Sequence, residues 1–446
     1  MNPTIMAIIM LVIVIAAIIW NKVPMNFVMF VVPVVCALCL GYSITEVSDA
    51  ITTQLATTMK SAGYMLLFGL IYFTMLTETG MFDTIVGAVM KVIGNRMNVV
   101  VVMVMTVIIG ALGYLTANMS TTYLICFPIM IPLYKKFKLD QSYAFLLCQS
   151  AIAAMCFLPW GIGIANSAMM AGCDTTELAA ASIPWGICHI PMIILMIVYF
   201  TIMHKKEVGT LGVPTNVEVE ATGTEKKEEE TKENPNARPK LFWINLLIFV
   251  IAIVALAVFQ ITSYIVFIFA AVVTSLINYP KNFGEIWNKA GRTYYNVLIM
   301  LIAISVYLAI FNMSPEDGSK LSMVEALANA MVGIFPEFLT RYLYIIFLLL
   351  EVIIIRFVPY QVFNAMYPLF ISIGATYGFT AIQIIAPFVC NLALATSVTP
   401  MNSATYIGCT LCEVDVDKFV KKGVPIMTVA NAVVVVIAIV FGVLKL

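Results

Sequence analysis

The chain has 446 residues, of which 62% are hydrophobic and 11% charged, and its 24 basic and 24 acidic side chains cancel. A soluble domain carries about 25% charged residues, so this chain cannot cover itself with polar surface and its exterior must face lipid. Balanced charge offers nothing to a nucleic acid. The ten Cys fall mostly in apolar runs and show no metal-ligand spacing. An all-α polytopic membrane protein without a cofactor is expected.

A bilayer core about 30 Å thick needs about 20 helical residues per crossing. In chain order, runs of that kind fall at 4–20, 26–42 and 61–80. The first lacks a basic start and a small-residue cleavage site, and reads as a membrane helix rather than a signal peptide. Residues 97–134 are too long for one helix and carry polar residues and breakers in their middle. They predict a re-entrant hairpin, which survives in lipid only where its turn lines a protein cavity. A broken span over 141–172 and a closing span over 183–203 complete a first repeat, residues 1–203. Residues 204–240 are charged, rich in Glu and Lys, and lack a hydrophobic period; they predict a disordered cytoplasmic linker.

The second repeat, 241–446, runs through spans at 241–258, 262–279 and 293–311, a hairpin over 341–373, a broken span over 381–411 and a closing span over 424–444. Each repeat also has an amphipathic arm, at 81–95 and at 314–335. The sum is about 10 transmembrane helices plus two re-entrant hairpins. Five spans per repeat is an odd number, so the repeats must be inverted, the pattern of many secondary transporters. With the linker inside the cell, most Lys and Arg fall on the cytoplasmic side, as in an inner-membrane protein. Lys60, Lys320, Arg341 and Lys445 are the exceptions, and Arg356 is left within the membrane.

Four breaks are expected to converge at the midplane. The first hairpin tip is Thr116–Thr122, and the broken span after it is interrupted at 158–167, a stretch that opens with Leu158-Pro159-Trp160-Gly161. The second tip spans 358–365, and its paired break is Thr396–Thr405 around Pro400. Pro removes an amide donor and Gly loosens the backbone. Freed carbonyls and hydroxyls suit a cation such as H⁺ or Na⁺ bound as the coupling ion. Freed amides at half-helix starts suit a carboxylate. Candidate ion ligands are Asn118, Ser120, Gly161, Gly163, Asn402, Ser403 and Thr405. Candidate substrate contacts are Thr121, Thr122, Asn166, Arg356, Gln361, Asn364 and Thr399. Arg356 and Glu351 lie in the apolar run before Pro359, and an intramembrane charge is costly enough to suggest function. Arg356 is a clamp for a carboxylate or the partner of Glu351; Glu351 is a proton carrier or that partner. His189 reads as a packed polar residue and Glu78 and Asp83 as interfacial anchors.

The stretches GYMLLFGLIYFTMLTETGMFD (63–83), MSTTYLICFPIMIPLYKK (119–136) and FLPWGIGIANSAMMAG (157–172) resemble the CitMHS family of citrate–metal symporters, within a superfamily that also holds divalent anion/sodium symporters. The likeness covers about 61–205 and, more weakly, 293–444. It implies two hairpins, elevator-type alternating access, a homodimer, and ligands at the hairpin tips, where Asn118, Ser120, Thr121, Asn402, Ser403 and Thr405 fall. Two stretches depart from the family pattern. Thr116-Ala117-Asn118-Met119 replaces an acidic, Gly-containing segment, and no Arg follows Leu158-Pro159-Trp160-Gly161. Arg356 is the candidate to supply that missing cation from the other repeat.

The expected activity is cation-coupled symport of a small organic anion, citrate or another di- or tricarboxylate. A cation/proton antiporter and a carrier of a neutral or zwitterionic solute stand as alternatives. An enzyme finds no support, since no Ser/His/Asp, zinc or paired-carboxylate arrangement is present.

Overall fold

The computed structural model describes residues 2–20, 23–82, 84–85, 87–88, 98–211, 236–257, 259, 261–314, 321–358, 360–400 and 402–444. All the regular structure in them is helical. Backbone polar groups in lipid must be satisfied within the segment itself, which is why even the Val-rich run Val99–Gly113 coils into a helix. The apolar surface is extensive: Ile187, Trp243, Phe269 and Val440 are among many large side chains left open, a surface suited to lipid rather than water. Among the described residues, four helical stretches are by themselves long and apolar enough to cross a bilayer: Val99–Thr116, Thr175–Val208, Pro239–Leu256 and Val416–Val440.

The chain begins with α1 (Pro3–Trp20) and α2 (Met25–Leu40). The single span expected at 61–80 is instead the end of a longer run. Helix α3 (Ile44–Thr58) passes through a π-helical turn, Met59–Gly63, into α4 (Tyr64–Glu78). Ser43 and Glu46 start it with a reciprocal capping box. The polar composition of α3 hides it from a search for apolar runs. Most of the first arm, 81–95, lies outside the described residues.

Helix α5 (Val99–Gly113) leads through a 3₁₀ turn, Tyr114–Thr116, to α6 (Met119–Lys136), and the two pack as a hairpin. Ala117 makes the turn in the left-handed region, at φ 54°. Then come α7 (Gln141–Met155), a non-helical break, α8 (Ile162–Ala171) and α9 (Thr175–Val208). The closing helix α9 is longer at both ends than the 183–203 expected, because Asp174 caps its start and Gly209, at φ 81°, stops it. The expected linker therefore loses its first residues to helix, and residues 212–235 lie outside the described set. Its far end is fixed: the Arg238 amide donates to Thr79 O (2.9 Å), and Glu78 pairs with Lys289 and accepts from Asn236.

The second half contains α10 (Phe242–Ala257), α11 (Ser263–Asn278), α12 (Phe283–Phe311), α13 (Met323–Ile334), α14 (Glu337–Arg341), α15 (Leu343–Phe357), α16 (Tyr360–Asn364), α17 (Tyr367–Thr376), α18 (Ala381–Ser397), α19 (Ser403–Leu411) and α20 (Val416–Val440). Helix α12 begins ten residues before the expected 293, its first turns being polar. The second arm is α13, set by a capping box between Ser322 and Glu325. The second hairpin is less regular than the first, with the short α16 between its arms.

The two halves match element for element from their hairpins onward. Helices α7 and α18 have 15 and 17 residues, α8 and α19 have 10 and 9, and a non-helical break stands between the members of each pair. Helices α7 and α18 pack on each other, α19 packs on the first hairpin's arm α6, and α8 packs on α17, the matching arm of the second hairpin. At one end of the molecule Lys135 pairs with Glu413 and Lys422 with Asp140. These ties bring together Lys residues that the charge pattern assigned to one side of the membrane.

Candidate functional site

Each break exposes helix ends, and side chains from the other strand of the same half tie them down. At the first tip, Asn118 caps α6: its Oδ1 accepts from the Thr121 amide (3.0 Å), and its carbonyl accepts from the Thr122 hydroxyl (2.8 Å). The indole N–H of Trp160, in the break between α7 and α8, donates to Leu115 O at that tip (2.9 Å), and Trp160 stacks on Phe73 of α4. Gly161 then starts α8, its amide bonded to Leu158 O (3.0 Å).

The second half uses the same logic. The Thr399 hydroxyl, in the break, donates to Ile355 O in the last turn of α15 (2.7 Å). Asn402 caps α19 by accepting from the Ala404 amide (3.1 Å), and its Nδ2 donates back to Thr396 O (2.9 Å). Thr405 is fully buried and donates to Thr396 O and Ser397 O. The carbonyl end of α18 is thus folded against the start of α19.

This arrangement divides the residues singled out in the sequence. Asn118 and Asn402 sit at matching helix starts, half-buried, with Ser120 and Thr121 in the first turn of α6. Asn166 and Asn364 are buried, and the Oδ1 of each has no hydrogen-bond partner among the described residues. Thr122 and Thr399 are buried with their hydroxyls already spent on carbonyls, so they act as ties. Gly161 is buried, whereas Gly163 opens to free space. The side chains of Gln361 and Ser403 lie outside the described set.

Arg356 stands in the last turn of α15, one residue past the Ile355 carbonyl that holds the second break. Its Nη1 is buried without a hydrogen-bond partner among the described residues, and the guanidinium lies 5.6 Å from the centre of the Phe357 ring. It makes no ion pair with Glu351, both of whose oxygens are unpartnered among the described residues. Five residues along a helix is about 140° of rotation, which points the two side chains apart. The alternative reading, in which Arg356 is the ion-pair partner of Glu351, is therefore not met in this structure.

Sequence reasoning passed over Gln149. It is buried in α7, accepts from the Tyr123 hydroxyl of α6, and donates to Ala393 O of α18 (2.6 Å). It joins the first hairpin to the second broken span. The signal was a lone amide inside the run SYAFLLCQSAIAAM (142–155). His189 is, as read, a packed polar residue, its Nδ1 bonded to Trp185 O (2.8 Å).

The sequence model of the citrate transporter family, CitMHS, matches residues 15–394. Similar proteins include a "Mg(2+)/citrate complex secondary transporter" of Bacillus subtilis (strain 168), 25% identical over 93% of this chain and 92% of that protein. A "Citrate transporter" of the same organism is 26% identical over 82% of this chain and 81% of its own length. An uncharacterized transporter of that organism is 21% identical over 92% of each chain. A match over most of the chain, on a protein of apolar helices, makes this a multi-pass membrane protein that belongs to the citrate transporter (CitMHS) family, and a transporter rather than an enzyme.

Proposed function

We propose that the chain is a secondary active symporter that carries citrate, or another di- or tricarboxylate, across the inner (plasma) membrane with H⁺ or Na⁺. Two inverted repeats would expose the site alternately by an elevator-type movement, in a homodimer. The observation that carries the reading is the set of helix starts at the breaks: α6 at Asn118, α8 at Gly161 and α19 at Asn402. Helix N-termini offer unpaired amides and positive dipole ends to carboxylates, and Arg356 adds a full charge close by. A divalent ion would travel as part of the substrate, held by citrate itself.

In this reading the two Asn side chains serve the substrate. Each uses its Oδ1 on a backbone amide, so each shapes an anion-facing helix start more than it offers oxygen to a cation. Removing such a cap costs about 1 kcal/mol. Asn118→Ala and Asn402→Ala are each expected to raise the citrate KM about fivefold, with less change in protein abundance. Uptake kinetics beside quantitative immunoblots check this, and unchanged KM in both variants would remove the caps from the site.

The function itself is tested by radiotracer uptake into proteoliposomes, offering citrate with and without Mg²⁺, succinate and a neutral amino acid under separately imposed Na⁺ and pH gradients. Gradient-driven accumulation of citrate is expected. Accumulation of the neutral solute alone would refute the carboxylate reading.

A further inference from the structure

Glu351 occupies the middle of α15 with no exposed surface, and neither carboxyl oxygen has a hydrogen-bond partner among the described residues. The polar groups around it are unsatisfied too. Tyr367 on α17, a helix that packs on α15, is fully buried, and its hydroxyl has no hydrogen-bond partner among the described residues. Asn391 on α18 is fully buried with an unpartnered Oδ1. Its Nδ2 donates to Asn431 of α20 (2.7 Å), which in turn donates to Leu348 O (2.6 Å), one turn before Glu351. Helices α17, α18 and α20, which pack on α15, thus bring two further orphaned polar side chains and a bridging amide to the helix that carries the orphaned carboxyl.

We infer that Glu351, with Tyr367 and Asn391, is the site that carries the coupling proton. This rests on the reading of the chain as a cation-coupled carrier and names the cation. An ionised carboxylate buried without a partner is prohibitively costly, whereas a neutral acid brings one O–H donor and an acceptor. A neutral acid has an O–H of the kind that Asn391 Oδ1 lacks and a carbonyl of the kind that the Tyr367 hydroxyl lacks, though neither bond is formed in this structure. When the proton leaves to water, the carboxylate keeps only acceptors, so it can still take a bond from Tyr367 but can offer none to Asn391 on α18. Protonation thereby decides whether α15, beside Arg356, can be fastened to the helix that bears the second break.

No other charge competes at this place. On α14, Glu337 and Arg341 lie ten or more residues before Glu351. On α20, the charged residues are confined to its first two turns, nine or more residues from Asn431. On α18, Cys390 bonds toward Ser182 O of α9 instead. A metal cation is the poorer occupant, because hard cations want on the order of six oxygens, and the cluster supplies the carboxyl, one phenol and one amide.

Infrared spectra of purified protein at neutral pH, without substrate, should show a protonated-carboxyl band that disappears in Glu351→Gln. In proteoliposomes, the ratio of pH-gradient-driven citrate accumulation to exchange at equal pH should fall at least tenfold in Glu351→Gln. It should be partly restored in Glu351→Asp. Absence of the band, or a Gln variant that accumulates citrate on a pH gradient as the parent does, would overturn the assignment. Failure of the citrate reading shows differently: the band would be intact while the parent takes up no carboxylate.

Discussion

Arg356→Gln is expected to cut citrate uptake about 100-fold while the protein still reaches the membrane in folded form. Removing one partner of a buried, hydrogen-bonded charge pair costs about 2–5 kcal/mol, and about 2.7 kcal/mol corresponds to that loss. The position supports the role. Arg356 follows the Ile355 carbonyl that anchors the second break, and part of its guanidinium is buried with nothing to bond. A guanidinium stays charged at any physiological pH, and a substrate carboxylate is the proposed partner for its buried Nη1. Arg356→Lys keeps the charge but not the planar two-bond geometry; the expected result is a KM raised about tenfold, near 1.4 kcal/mol. Because Glu351 does not neutralise Arg356, adding Glu351→Gln should not rescue Arg356→Gln. Uptake kinetics normalised to membrane abundance decide this. Full uptake by Arg356→Gln would show that the substrate does not use the guanidinium.

The residues that break helices were legible because their chemistry is local. Pro159 and Gly161 in one half, and Pro400 with the polar run around it in the other, mark non-helical joints that composition alone can find. Asn118 stood out only as a candidate ion ligand; that it caps α6 depends on where the helix starts. What stayed hidden depended on tertiary partners. A single apolar-run criterion cannot see α3, whose stability comes from its cap and its packing on α12. Nor can it see that Thr122 and Thr399 turn their hydroxyls to carbonyls, since a Thr at a break looks the same whether it faces a ligand or a neighbour. The supposed Arg356–Glu351 pair failed for a geometric reason: spacing in sequence suggested proximity, but helical rotation separated the side chains.

The matching halves give the site its economy. Side chains hold each hairpin to its own broken span, Trp160 to Leu115 and Tyr123 to Gln149 in the first half and Thr399 to Ile355 in the second. Gln149 then binds the first hairpin to the second span. Substrate groups gathered among α6, α8, α15 and α19 would therefore contact elements already coupled to each other. Such coupling is what lets occupancy of one site bias a larger rearrangement. The helices outside this group, α10 and α11 among them, present broad apolar faces.

Gly408→Ala should remove most activity although it lies outside every break. Gly408 brings α19 against α7 so closely that an added Cβ would stand 2.6 Å from Cε1 of Phe145. A ring tip can often swing aside, but this one cannot do so cheaply. Phe145 is fully buried, stacked on Phe419 with centroids 4.4 Å apart, and flanked by the edges of Tyr123 and Phe127. Overpacking of this kind costs about 1–3 kcal/mol. The strain is relieved most readily by sliding α19, which begins at Asn402 and carries Thr405, the two residues that hold the end of α18. A lower thermal midpoint in detergent and roughly tenfold weaker citrate uptake are the expected results, consistent with about 1.4 kcal/mol at the site. Phe145→Leu frees volume where the new methyl must go, so the double variant should recover both properties beyond what the single effects predict. Parent-like stability and uptake in Gly408→Ala would mean that α19 is seated by something other than this contact.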